Sequence, residues 1–140
     1  MKVVLDSNIY VSAFGFDRGP ETIINLGLAT NFKIYSSLYI IEEVVRVLHE
    51  KLGMSERFAV LAGKRIRRFS TEVVPVRGSL DDSAPIDPKD GPIIKTCLAS
   101  RADFLVTGDK ELFSLTVRGL KIISPAHFLR HLRTQGITAR

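Results

Sequence analysis

The run Lys2-Val3-Val4-Leu5-Asp6-Ser7-Asn8 decides how the rest of the chain is read. Its apolar residues Val3, Val4 and Leu5 predict a buried strand almost as soon as the chain begins. Asp6 then stands at the carboxyl end of that strand. In open α/β sheets, ligands bind in the crevice outside those ends, so Asp6 occupies a position where chemistry is usually done. Its partners are to be sought among acids that reach the same end of the sheet.

Working outward, residues 103–107 predict another buried strand, and it too runs into an acid, in Thr107-Gly108-Asp109. Between the two, residues 15–20 predict a loop, and Pro20 suits the first turn of a helix carrying Ile23, Ile24, Gly27 and Leu28 on one face. A strand is expected at 32–35. Ser36 or Ser37 then caps a helix whose apolar residues Ile41, Val44, Val45, Leu48 and Leu52 recur at steps of three and four. Glu43 sits at the edge of that stripe, beside Ile40 and Val47, while Glu42 keeps company with Arg46 and His49. Residues 55–69 predict a basic helix, and 73–76 a strand that Pro75 confines to a sheet edge. The acidic stretch 81–90 follows. Asp90 precedes Gly91-Pro92 and suits the N-cap of a helix facing Ile93, Ile94, Cys97 and Leu98 inward. A last short strand, 121–123, leads to Ser124-Pro125 and a final helix through Phe128 and Leu129. Strands alternating with helices predict an α/β fold, a parallel sheet covered on both faces.

At 140 residues, 45% hydrophobic and 25% charged, the chain suits one globular domain spanning 1–140. It has no apolar run long enough for a membrane span and no cleavable leader pattern, which predicts a cytoplasmic protein. Cys97 is the only cysteine and sits among apolar neighbours, as a packed small hydrophobe does. The net charge of +5 is unevenly spread. Lys51, Arg57, Lys64, Arg65, Arg67 and Arg68 face only Glu56 in their stretch, and Arg118, Lys121, Arg130, Arg133 and Arg140 form a second basic group. Acids gather between Asp81 and Asp109. Basic surroundings about an acidic centre suit a metal site that holds a nucleic-acid phosphate. A solvated basic helix face and a basic tail account for the same charges.

Four carboxylates stand out: Asp6, Glu43, Asp90 and Asp109. Packed together they would repel unless a divalent cation neutralised them, and oxygen-only donors favour Mg²⁺ or Mn²⁺ over zinc. Such an ion assists hydrolysis of a phosphodiester. Each acid also has a structural reading: a turn at Asp6, an N-cap at Asp90, an exposed helix acid at Glu43 and a loop acid at Asp109. Ser7, Asn8 and Thr107 are candidate donors that orient the carboxylates. Asp87 shapes the loop or joins this outer set, and Asp103 caps the preceding helix end. His49, His127 and His131 show no metal-ligand spacing.

In its motifs the sequence resembles the PIN-domain ribonucleases. The resemblance rests on residues 3–8 (VVLDSN), 43–48 (EVVRVL), 87–90 (DPKD) and 102–109 (ADFLVTGD), in that order, and residues 124–129 (SPAHFL) resemble the VapC-like toxin branch of toxin–antitoxin systems. It implies a three-layer α/β/α fold with a central parallel sheet of about five strands, and a Mg²⁺- or Mn²⁺-dependent endoribonuclease. Asp6, Glu43, Asp90 and Asp109 would form its acidic quartet, with Asn8 and Thr107 as polar companions. A homodimer and a cognate antitoxin are the implied partners, besides RNA, for which Lys64, Arg65, Arg67 and Arg68 are the candidate phosphate track. Ser7 stands where the family more usually has threonine, and Gly91 where it often has a polar or acidic residue. An RNA-binding or partner-binding module with little cleavage therefore remains an alternative. A phosphotransfer enzyme using Asp6 as nucleophile ranks below both, because Asp6-Ser7-Asn8 lacks the second aspartate such enzymes need.

Overall fold

The computed structural model describes residues 1–15, 17–77 and 91–138. Strand β1 (Lys2–Leu5) leads into helices α1 (Ser7–Phe14) and α2 (Arg18–Leu28), then β2 (Lys33–Ser37) and α3 (Leu38–Arg46). A π-helical turn (Val47–Lys51) joins α3 to α4 (Glu56–Phe69), which is followed by β3 (Glu72–Val74). Beyond the undescribed stretch come α5 (Gly91–Ser100), β4 (Phe104–Val106), a 3₁₀ turn (Lys110–Ser114), β5 (Lys121–Ile123) and α6 (Pro125–Thr134). The five strands pair in the order β3-β2-β1-β4-β5, all parallel, between helical layers. This is the predicted three-layer α/β/α architecture.

The opening strand lies at the centre because its side chains can be buried on both faces: Val3, Val4 and Leu5 are fully inaccessible. It pairs with β2 on one side and β4 on the other. The chain steps outward from β1 to β3, then returns across the sheet to β4 beside β1, so the strand order reverses there. That reversal opens a crevice at the carboxyl ends of β1 and β4. The register Leu5↔Val106 and the bond from the Asp6 N–H to the Val106 carbonyl (2.9 Å) bring Asp6 and Thr107 to that same edge.

The caps follow sequence chemistry. Ser37, Ser55 and Ser124 each accept a backbone N–H of the helix they precede. β3 takes the expected edge position and stops at Val74, before Pro75, which has no N–H for the ladder. On the core side, Phe128 of α6 packs edge-on against Phe32 at 5.3 Å and tilted against Phe104 at 5.6 Å.

Several expectations are corrected. Helix α1 had no counterpart in the sequence reading; Asp6 ends the strand and also caps this helix, which buries Ile9, Tyr10 and Ala13 at helical spacing. Helix α2 starts at Arg18, before Pro20, and Leu28 is exposed while Gly27 packs under Ile34 and Phe32. Leu52 is exposed because the π turn and its end carry it off the stripe of α3. Leu98 is 58% exposed, and Thr96 and Ser100 take the inward face instead. Both hydroxyls are satisfied by the preceding helix turn, Thr96 on the Pro92 carbonyl and Ser100 on that of Thr96, each at 2.8 Å. Residues 81–90 and Arg140 lie outside the described residues, and with them the proposed N-cap at Asp90.

Helices α3 and α4 pack closely through Gly63. A Cβ there would meet Val45 Cγ2 at 2.8 Å and Ile41 Cγ2 at 3.3 Å, both on stiff β-branched side chains. Gly63→Val is expected to cost about 1–3 kcal/mol by overpacking. Thermal unfolding should show a melting temperature lower by several degrees, and an unchanged value would mean that the helix pair is not rigid.

Candidate active site

Asp6 is 8% exposed and is held by three hydrogen bonds. Its Oδ1 accepts the Ser7 N–H at 2.7 Å; its Oδ2 accepts the Thr107 hydroxyl at 2.8 Å and the Asn8 amide at 3.2 Å. The Ser7 hydroxyl, at 3.5 Å, adds little. Three of the roughly four lone-pair directions of a carboxylate are thus taken, which fixes its orientation and leaves one for the crevice. Burial pushes the Asp6 carboxyl above its ordinary range, and the Asp109 charge adds to this; the bonds from Thr107, Ser7 and Asn8 work the other way.

Thr107 ties the two strand ends together. Its hydroxyl donates to Asp6 and accepts from the Asp109 N–H at 3.0 Å and the Asn8 amide at 3.3 Å. Asn8 closes the loop, its Oδ1 accepting the Gly108 N–H at 2.9 Å. Asp109 Oδ1 accepts the Glu111 N–H at 3.0 Å and so starts the 3₁₀ turn. Asp6, read as a turn former, and Asp109, read as a loop acid, therefore each cap a helical turn as well as lining the site.

Asp6, Glu43, Asp109 and Glu111 line one crevice of about 650 Å³, with Ser7, Asn8 and Tyr39. Glu43 reaches it from α3, its side chain 26% exposed and ion-paired to Arg46 at 2.9 Å. Tyr39, Glu43 and Val47 follow one another at steps of four, which puts all three on one helix face. Sequence reasoning missed Glu111 and Tyr39. Their signals were there: Glu111 is two residues after Asp109 in a capped turn, and Tyr39 is one turn before Glu43. Asp87 and Asp90 lie outside the described residues. Asp103 is elsewhere, at the amino end of the sheet, where its carboxylate accepts the Lys2 N–H at 2.8 Å.

Lys64, Arg65, Arg67 and Arg68 are exposed on α4 and do not line the crevice. Arg65 instead lies over the Phe14 ring at 5.8 Å, beside a separate apolar hollow. Cys97 is buried, and burial followed by the Asp6 charge pushes its thiol far above the usual range, as suits packing rather than reaction. The histidines make local contacts: His49 with the Met54 carbonyl, His127 with Ser124, and His131 with the Phe104 ring and Gln135.

The comparison with known families decides what this arrangement belongs to: the PIN domain model matches residues 2–111, which contain Asp6, Glu43, Asp109 and Glu111. The chain is a PIN-domain protein. PIN domains are generally nucleases. Among solved structures, this PIN domain is similar to VapBC2 from Rickettsia felis, crystallised bound to a DNA fragment from their promoter. The match has a TM-score of 0.63 and 19% identity over 89% of this chain and 98% of that one, a likeness of fold. No curated protein matches the sequence.

The donor set of the PIN domain fits a hard divalent cation in chemistry, since every candidate ligand is a carboxylate oxygen. Among the described residues no three acidic, histidine or cysteine side chains are close enough to surround one ion. Mg²⁺ tolerates this, because it usually keeps several waters and takes only one or two carboxylates directly.

Proposed function

We propose that this chain is a Mg²⁺- or Mn²⁺-dependent endoribonuclease and the toxin of a toxin–antitoxin pair, acting in the cytoplasm. The observation that carries the reading is the buried, fully oriented Asp6 carboxylate facing Asp109, Glu43 and Glu111 in one crevice at the strand-order reversal. Burying a carboxylate beside another acid is costly, and a bound cation offsets the cost. Asp6 and Asp109 are the proposed direct ligands, with Glu43 and Asp90 completing the site directly or through water. The ion would activate water and neutralise charge on a phosphodiester oxygen.

The chain's own residues supply orientation. Thr107, Asn8 and the Ser7 N–H hold Asp6 in one position, so no reorganisation of that carboxylate is needed during the reaction. Arg46 balances Glu43 at the crevice wall. Glu111 has a carboxylate free of ion pairs among the described residues and is a candidate to hold a water proton. The α4 cations are proposed to guide RNA phosphates from outside the crevice. A cognate antitoxin and a second copy of the chain are the proposed protein partners; VapBC2, the structural neighbour, supports the first.

That no three acids among the described residues are close enough to surround one ion favours a second reading, an RNA-binding or partner-binding module without cleavage. Single-stranded RNA with and without EDTA separates the two. Cleavage that needs Mg²⁺ or Mn²⁺ and stops on chelation is expected. RNA bound but uncut at any metal concentration would favour the binding module.

A further inference from the structure

A second trough, of about 660 Å³, adjoins the acidic crevice and shares Asn8, Ser12 and Asp109 with it. Its walls are largely apolar: Ile9 from α1, Pro20 from α2, and Pro125 and Leu129 from α6. Besides the shared Asn8, Ser12 and Asp109, two more side chains bring polar edges to it, Asp17 and Ser124. Ser124 is already engaged, accepting the His127 N–H at 3.2 Å and bonded to His127 Nδ1 at 2.8 Å. Asp17 is different. It stands at the N-cap of α2, yet its carboxylate makes no capping bond, and it takes part in no ion pair among the described residues. A largely apolar trough therefore adjoins the acidic crevice, with Asp17 as a carboxylate that has no cap bond and no ion pair among the described residues.

We propose that this trough is a nucleobase subsite and that Asp17 selects guanine in it. The proposal rests on the ribonuclease reading of the adjoining crevice. Proteins that read single-stranded RNA splay bases out, pack their faces on apolar or aromatic groups and bond their Watson–Crick edges. Guanine presents two adjacent N–H donors on that edge, N1–H and N2–H, which match the two oxygens of a carboxylate. Adenine, cytosine and uracil each place an acceptor beside their donor, and a carboxylate cannot satisfy it. The Asp17 charge also disfavours a phosphate in the trough, so the backbone stays on the side of the proposed cation while the base turns in.

The test uses single-stranded RNA oligonucleotides that carry guanine, adenine, cytosine, uracil or no base at each position flanking the mapped cut, with kcat/KM measured in Mg²⁺. At one flanking position guanine should be preferred about tenfold or more over adenine, the scale of one bidentate base contact. Asp17→Asn should shift the preference toward adenine, whose donor and acceptor pair with a carboxamide. Ala126→Trp, at an exposed position lining the trough, should bring the guanine substrate down to the rate of the abasic one. Equal rates on all five substrates, or a guanine preference that survives Asp17→Asn in a folded protein, overturns the subsite. No cleavage of any RNA by the unaltered chain removes the ribonuclease reading as well, and so is told apart from failure of the subsite alone.

Discussion

Asp6→Asn is expected to lower RNA cleavage on the order of a thousandfold. Charge stabilisation by a correctly held ion supplies several kcal/mol of the barrier reduction. Each 1.36 kcal/mol is a factor of ten in rate, so losing an anionic ligand at the centre of the site is expected to cost about three such factors. The asparagine changes little in volume but replaces one acceptor oxygen by a donor, facing the Asn8 amide and the Thr107 hydroxyl that now donate to Asp6. Glu43→Gln should cost less, because Glu43 is already paired with Arg46 and lies on the wall of the crevice. The measurement is kcat/KM on single-stranded RNA at saturating Mg²⁺, with the fold checked by circular dichroism. An Asp6→Asn protein that cleaves within tenfold of the parent would exclude Asp6 from the reaction.

The fold was legible because its central strand is so apolar. Val3-Val4-Leu5 has no solvent-facing residue, so a buried strand was the reading available, and the structure places it at the centre of the sheet. Pro75 marked one edge of the sheet for an equally local reason. What escaped was set by tertiary context. Helix α1 follows β1 with no loop, since Asp6 serves both as last residue of the strand's run and as cap, and a pattern read for strand ends hides a helix start. Leu98 is apolar and still exposed, because Thr96 and Ser100 can bury their hydroxyls on the backbone of α5. At the site, the strand-end acids Asp6 and Asp109 and the helix acid Glu43 were visible from spacing. Glu111 was passed over although it follows Asp109 by two residues in the same capped turn; Asp17 could not be found, since its value depends on which loop folds against which helix, and sequence separation carries no such information.

Metal binding should be readable in the stability of the protein without any RNA. A ligand that binds only the folded state adds about 2.7 kcal/mol when its concentration is a hundred times its dissociation constant. With an unfolding entropy near 2.1 cal/mol/K per residue, that corresponds to a melting temperature about 9 °C higher for a chain of this length. The pH dependence has a definite sign. Burial raises the folded-state pKa of Asp6 above its ordinary 3.8, so in metal-free buffer the native state binds its proton more tightly than the unfolded chain. The contribution of this group to stability is therefore most favourable at low pH, declines as pH rises from about the ordinary carboxylate value through the raised one, and is flat above it. Mg²⁺ or Mn²⁺ competes with that proton, so the metal-induced rise should be full at neutral pH and fade on acidification through the same window. Asp6→Asn removes both effects at once: the metal-free protein should lose this group's contribution to the pH dependence of melting, and added metal should shift it little. Differential scanning fluorimetry over a series of pH values, with and without Mn²⁺, decides it, and an equal metal-induced shift in parent and variant would place the ion away from Asp6.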